Sequence, residues 1–310
     1  LLLFYFLIFL FLVLWSKKNL SSIKNLKYVA EQRVHEGEIP RLGGFFIYLC
    51  LIIFSFTLIE NVQLNFQKQL LCLLPLLLVS VKEDLWHDTS YKIRLCVMLL
   101  SAFALTLITV SNFPKIEHVY IISDLNNYKI FNILFFSLCL IVLANGCNFI
   151  DGMNGLLSGY LLGAIAACLY LSYVTADIFN AKLLILYSLF ILFFLSVNFP
   201  WGKIFFGDTG AYILAMLLGI WFINFLGVHD SISPWNASLV FFYPIAEVIY
   251  SFVRKIFQKK SPFYPDREHL HLKVYDILNN TLDKPRLSNN LTTVFLSVFW
   301  LLPPLLISWV

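Results

Sequence analysis

Asn145-Gly-Cys-Asn-Phe-Ile-Asp-Gly-Met-Asn-Gly-Leu156 sets three amides, a carboxylate and three glycines between long apolar segments. Asn145, Asn148 and Asp151 recur every third residue, so a helix would carry them round one drifting face. A carboxylate at the centre of a membrane helix costs roughly 2.5 to 3.5 kcal/mol unless water or a partner relieves it. Such an expense points to a site. The bland reading is a short interfacial loop with a helix cap, and it weakens only because the chain holds four more polar islands of the same kind.

Working outward, the flanking segments decide the fold class. The chain has 310 residues, 60% hydrophobic, 17% aromatic and only 13% charged, with a mean hydropathy of +0.81. A soluble domain of this length needs far more charge to cover its surface. Windows long enough to cross about 30 Å of hydrocarbon fall near 1–15, 42–59, 68–82, 92–111, 131–145, 155–175, 181–198, 210–228, 236–253 and 289–309. The expectation is an all-α, polytopic membrane protein of about ten transmembrane helices, forming a single domain over 1–310 whose first helix is truncated at its N-terminus. The six cysteines never form C-x-x-C and sit mostly in apolar runs, which reads as small hydrophobes and not as metal ligands or disulfides.

Charge orients the spans. If the first exits on the cytoplasmic side, connections 16–41, 82–94, 145–154, 199–209 and 254–288 are internal, and 18 of the 22 Lys and Arg lie in them. That bias fits the positive-inside rule. The same assignment gathers every polar island on one face: Arg41-Leu-Gly-Gly44, Glu83-Asp-Leu-Trp-His-Asp88, the central run, Phe206-Gly-Asp-Thr-Gly210 and Asp266-Arg-Glu-His-Leu-His271. A carrier should scatter polar groups toward the bilayer midplane; here the spans are nearly free of charge, with Glu247 the main exception. The long outer connection 112–130 has room for one small amphipathic segment.

Chemistry follows from residue type. Asp84 and Asp88 are i,i+4 neighbours that repel unless a cation joins them, although Lys82, Lys92 and Arg94 also allow a solvated, self-neutralised loop. Asp208, between glycines where a loop enters a helix, is either an N-cap or a hard oxygen ligand beside exposed N–H groups, suited to Mg²⁺ and phosphate. His269 and His271 share a face only if the chain is extended; without H-E-x-x-H or a nearby cysteine they suit phosphate, with Arg267, better than zinc. Lys17, Lys18, Lys24 and Lys27 suit anionic lipid headgroups.

With all five islands in view, their order and spacing resemble the polyprenyl-phosphate N-acetylhexosamine-1-phosphate transferases, glycosyltransferase family 4. This family includes the lipid I-forming translocase and the enzymes that initiate O-antigen and teichoic acid. The resemblance covers about residues 33 to 272. Arg33-x-His35 and Pro40-Arg-Leu-Gly-Gly44 look like its first motif; Glu83-Asp84 stands where most members have an Asp pair. Asn145-x-x-Asn148-x-x-Asp151-Gly152 is similar to its nucleotide-sugar and metal motif, Gly207-Asp208-Thr209-Gly210 to its Mg²⁺ motif, and Asp266-Arg267-x-His269-Leu-His271 to its histidine motif. Two departures stand out. Glu83 lengthens the acidic arm by one methylene, and Leu272 replaces a third histidine common in the family, which points away from a peptidoglycan precursor.

The resemblance implies transfer of a sugar 1-phosphate from a UDP-N-acetylhexosamine to undecaprenyl phosphate, with release of UMP, in a bacterial cytoplasmic membrane with the catalytic loops inside. It implies Mg²⁺, with Mn²⁺ as a substitute. Glu83, Asp84, Asp208 and His269 are the catalytic candidates; Arg41, Asn145, Asn148, Asp151, Arg267 and His271 the substrate-binding ones; Asp208 and Asp151 the metal ligands. Nothing points to nucleic acid, and a homodimer stays open. The competing readings are a transporter of an anionic solute and a non-catalytic homologue. The sugar and the polysaccharide pathway are not readable from the sequence.

Overall fold

The computed structural model describes residues 10, 39–58, 60–117, 119–261 and 267–307. Apart from Leu10, the expected first span lies outside these residues, as do the lysines at 17–27, Arg33, His35 and Asp266. Among the described residues the chain is helical without strands: α1 (Gly43–Ser55), α2 (Glu60–Trp86), α3 (Tyr91–Thr109), α4 (Tyr120–Leu125), α5 (Lys129–Ile150), α6 (Leu156–Val174), α7 (Ile178–Asn198), α8 (Gly207–Leu226), α9 (Asn236–Val240), α10 (Phe242–Phe257), α11 (Leu270–Leu282), α12 (Pro285–Leu296) and α13 (Val298–Ile307). Local signals begin several of them. Ser90 accepts the Lys92 N–H to cap α3, and Asp177 accepts the Asn180 N–H at 3.0 Å to cap α7.

Seven helices among the described residues are long and apolar enough to cross a membrane, the last formed by α12 and α13 in continuity over Pro285–Ile307. Two expected spans differ. The 42–59 window contains only the 13-residue α1, because residues 40–44 run alongside the segment before α8: Phe205 N–H donates to Pro40 O, while Gly43 and Gly44 N–H donate to Phe205 O and Phe206 O at 2.9 and 3.0 Å. Those bonds satisfy donors that a helix N-terminus leaves unpaired. The 236–253 window breaks into α9 and α10, with Pro244 in the first turn of α10; its missing N–H and fixed ring oppose a continuous helix. α10 then buries Glu247, Ser251 and Lys255 and exposes Ile249, Tyr250, Phe252, Val253 and Ile256.

The hub is α8, almost every residue of which is buried. It packs against α1, α2 and α5. Small residues allow this, since van der Waals packing rather than the hydrophobic effect holds helices together in lipid. A Cβ on Gly44 would lie 2.0 Å from the Gly210 backbone nitrogen, so the two helices cross backbone to backbone. α13 leans on α6 in the same way, with Trp300 against Gly159 and Gly163. The cysteines carry no disulfide; Cys50, Cys147 and Cys168 are buried as small hydrophobes, whereas Cys96 and Cys139 are exposed on the bundle surface.

Helix direction decides where the polar islands meet. The C-terminal ends of α2, α5 and α7 lie with the N-terminal ends of α1, α3, α6 and α8 at one end of the bundle. The connection at 112–130 holds the short α4, where the sequence leaves room for one small segment. Gly44→Val should prevent the α1–α8 crossing, so size-exclusion of a fluorescent fusion in detergent is expected to show loss of the monodisperse peak. Native-like recovery would mean that the two backbones need not approach so closely.

Candidate active site

Asp84, on the last turns of α2, has no exposed side-chain surface. Its Oδ1 accepts the Asp208 N–H at 2.8 Å, and its Oδ2 accepts the Thr209 N–H at 3.0 Å and the Thr209 hydroxyl at 2.7 Å. Asp151, the C-cap of α5, accepts the Gly207 N–H at 3.1 Å. The N-terminus of α8 is therefore closed by carboxylates from two other helices, where unpaired N–H groups and the helix dipole favour negative charge. Gly207, at φ 71°, makes the turn; a Cβ there would meet Arg41 O and the Asp84 carboxylate.

Asp208 points the other way from its own N–H. Its Oδ1 accepts from Asn148 Nδ2 at 2.9 Å and Arg41 Nη2 at 3.3 Å, and its Oδ2 accepts from Arg94 Nη1 and, at 3.3 Å, the Tyr212 hydroxyl. Arg94 also faces Glu83 Oε1 at 3.5 Å, and Glu83 Oε2 accepts the Thr89 N–H at 2.9 Å. Glu83 thereby ties the α2–α3 turn to the arginine. Arg41 keeps 39% of its side chain exposed while its guanidinium faces Asp208 and Asp84. Two arginines face four acidic side chains, Glu83, Asp84, Asp151 and Asp208, so carboxylates outnumber the cations in the cluster.

The histidines approach from the other side. His269 is the extended N-cap of α11, with ψ 147°, and this extended residue lets two rings two positions apart face the same way. The rings lie 5.8 Å apart, nearly parallel, and His269 packs on Phe149 at 4.7 Å. Glu247 accepts the Leu270 N–H at 3.1 Å and sits 3.0 Å from His269 Nδ1. A Cβ on Gly152 would be 2.8 Å from His271 Nε2, so the histidine segment rests on the residue after Asp151. Burial, with His269 beside it, pushes the His271 pKa down to about 3. His269 Nε2 and His271 Nδ1 are buried without a hydrogen-bond partner among the described residues. Such atoms are uncommon in finished structures and suit a ligand oxygen.

The cluster so assembled contains Arg41, Glu83, Asp84, Asn148, Asp151, Asp208, His269 and His271. Two candidates stand apart from it. Asn145 donates to Ile141 O at 2.8 Å and to Met98 Sδ at 3.3 Å, facing α3; three residues per step turns a helix by only 300°, which carries Asn145 off the Asn148 face. Arg267 pairs with Asp276 at 2.8 Å on the exposed side of α11. Sequence reasoning passed over Arg94 and Tyr212 as site residues. Arg94 read as one more loop cation, like Lys82, which does pair with Asp88 at the surface; the signal lay in its place one turn into an apolar helix. Tyr212 lies four residues after Asp208, on the same face.

Asp208 and Asp151 flank Gly207 and offer hard oxygens, as Mg²⁺ prefers when one or two carboxylates join substrate phosphates. Among the described residues no three His, Cys, Asp or Glu groups converge as a ready-made cage. The donor set fits a cation shared with a phosphate ligand, not one held by protein alone.

Asp84→Asn turns an acceptor of three bonds into an amide that must present an N–H to other donors. The expected loss is about 1–3 kcal/mol, seen as a lower thermal unfolding midpoint in detergent, with Thr209→Val costing about 1 kcal/mol. An unchanged midpoint for Asp84→Asn would remove the cap from the structural account.

Comparison with known proteins bears on this arrangement. The family model described as glycosyl transferase family 4 matches residues 66–253, a stretch that includes every cluster residue except Arg41, His269 and His271. The undecaprenyl-phosphate alpha-N-acetylglucosaminyl 1-phosphate transferase of Thermotoga maritima is 30% identical over 248 residues, covering 77% of this chain and 69% of that protein. Proteins of the same name from Yersinia pestis and Escherichia coli K12 are 27% and 26% identical over 76% of this chain and 66% and 65% of theirs. The chain spans about two thirds of the length of these curated relatives. On the family match and the Thermotoga relative together, the chain belongs to glycosyl transferase family 4.

Proposed function

We propose that this protein transfers a sugar 1-phosphate from a UDP-N-acetylhexosamine to undecaprenyl phosphate, releasing UMP, with Mg²⁺ as cofactor and Mn²⁺ as a substitute. The single observation that carries the reading is the convergence of Arg41, Arg94, Asp151, Asp208, His269 and His271 at one end of an otherwise charge-poor bundle. The names of the relatives supply the lipid acceptor, and the position of the cluster at the ends of apolar helices supports a polyprenyl phosphate presenting its head there. The charge bias of the connections supports a cytoplasmic-membrane protein with this face inside.

In the reaction a phosphate oxygen of the lipid attacks the phosphorus next to the sugar, the bond to the UMP phosphate breaks, and its electron pair leaves on UMP. Two polyanions must meet, so neutralisation and alignment dominate the barrier. Arg41 and Arg94, held on Asp208 here, are the cations that exchange a carboxylate for phosphate oxygens. Asn148 and Tyr212 keep Asp208 oriented, and Glu83 anchors Arg94. Glu247 takes His269 Nδ1, leaving Nε2 for a phosphate oxygen. With all its oxygens on α8, Asp84 builds the site by positioning Asp208. Asp208 and Asp151 are the residues that would hold Mg²⁺. When bound, the metal would withdraw charge from the diphosphate and stabilise departing UMP.

The test is incubation of purified protein with undecaprenyl phosphate and a panel of labelled UDP-N-acetylhexosamines. Label should enter organic-extractable lipid with equimolar UMP; uptake into sealed vesicles without lipid labelling would support the transporter instead. Asp208→Asn should abolish UMP release, and Arg94→Ala should lower turnover about a hundredfold, both with normal membrane insertion. Full activity of Arg94→Ala would leave Arg94 a structural ion pair.

Asp151 adds a pH dependence. Burial, opposed by Arg41 and reinforced by Asp84, raises its pKa well above the usual carboxylate range. A metal ligand must shed that proton, so metal affinity grows as pH rises toward the shifted pKa. The half-saturating Mg²⁺ concentration should fall by up to about tenfold per pH unit in that range. A flat profile would exclude Asp151 as a ligand.

A further inference from the structure

Asp151 stands on a five-residue connection with no ladder of its own. α5 ends at Ile150, and α6 starts after Gly155, which is left-handed at φ 78°. The connection borrows its hydrogen bonds, most of them from α12. Asn154 N–H donates to Asn289 Oδ1 at 2.9 Å, and Asn154 O accepts the Thr293 hydroxyl at 2.6 Å. Asn154 Nδ2 donates to Asn290 Oδ1 at 3.0 Å, while Asn290 Nδ2 donates to Pro200 O at 3.1 Å. From α7, Asn198 Oδ1 accepts the Gly155 N–H, and its Nδ2 donates to Ile204 O at 2.7 Å. The clasp thus reaches the segment leading into α8.

α12 is built for this and not only for crossing lipid. Ser288, Asn289, Thr292 and Thr293 are all buried, although polar groups inside a membrane bundle are costly unless paired. Asn289 and Thr293 are spent on Asn154. The helix lies beyond the 66–253 family match, and it follows the histidine segment directly through α11. Each end of that hairpin therefore bears on the Asp151 connection: His271 on Gly152, and Asn289, Asn290 and Thr293 on Asn154.

We infer that α12 is a positioning element of the active site, in which Asn289, Asn290 and Thr293 hold the 151–155 connection in the register that sets Asp151 on the Gly207 N–H. None of the three belongs to the carboxylate and arginine cluster; Asn289 and Thr293 act through the backbone of Asn154 and Asn290 through its side chain. The catalytic part of the inference rests on the transferase function proposed above, while the structural part does not.

Thr292 supplies the control. It is as buried as Thr293, but its hydroxyl donates to Ser288 O within its own helix. In full-length protein in nanodiscs, Thr293→Val should speed amide hydrogen exchange of 151–155, whereas Thr292→Val should not. With UDP-sugar and undecaprenyl phosphate, Thr293→Val should lose about ten- to a hundredfold in kcat, with KM for both substrates within about twofold, and Thr293→Ser should recover most of the rate. Equal exchange and equal kcat in Thr293→Val and the native protein would overturn the inference. So would a loss in Thr292→Val as large as that in Thr293→Val, which would reduce the effect to generic helix packing. If the native protein transfers no sugar phosphate, the proposed function fails, and the exchange measurement alone decides the positioning role.

Discussion

The Asp84 carboxylate seated on the first N–H groups of α8 is the contact on which the rest depends. It resolves two difficulties at once. A buried carboxylate and a buried helix N-terminus are each expensive alone; together each supplies what the other lacks. The pairing brings the end of α2 to the start of α8 and fixes the direction in which Asp208 leaves the helix. Asp208 then turns to Arg41, Arg94 and Asn148, from three further elements.

The bundle behind this point is arranged to tolerate it. α8 is almost wholly buried, so its N-terminus cannot rely on water for its unpaired donors. Gly44 and Gly210 let α1 come close enough for Arg41 to reach Asp208. Elsewhere the helices are largely apolar, with the Asp177–His229 pair at the opposite end a local exception, so most of the charge repulsion and desolvation falls at one end. That concentration gives the cluster its chemical meaning. In a low-dielectric setting, two arginines held on a carboxylate can exchange one anion for another without being left as bare ions.

The connection after Asp151 illustrates a different constraint. A loop at a membrane end must find partners for every backbone group. Here they are side-chain amides and hydroxyls from α7 and α12. The catalytic end is thus assembled from pieces spread along most of the chain, from Arg41 to Thr293, and its geometry depends on helices that bear none of the reacting groups.

The sequence by itself determined the helical membrane character, the gathering of polar motifs at one face and the family, because these depend on hydropathy, charge bias and spacing, which are local and additive. The five motifs were legible for the same reason: Asp84, Asp151 and Asp208 stand out as carboxylates beside apolar runs. Only the tertiary structure decided their roles. Asp84 became a cap because the start of α8 lies against it, Arg94 joined Asp208 across 114 positions, and Arg267 turned outward to Asp276. The breaks at 42–59 and 236–253 were also hidden, since an apolar window records length and hydropathy but not the backbone pairing or the proline that ends a helix. Hydrogen-bond partners distant in the chain have no periodic signature, so packing alone could say which polar residue holds the site and which one faces away.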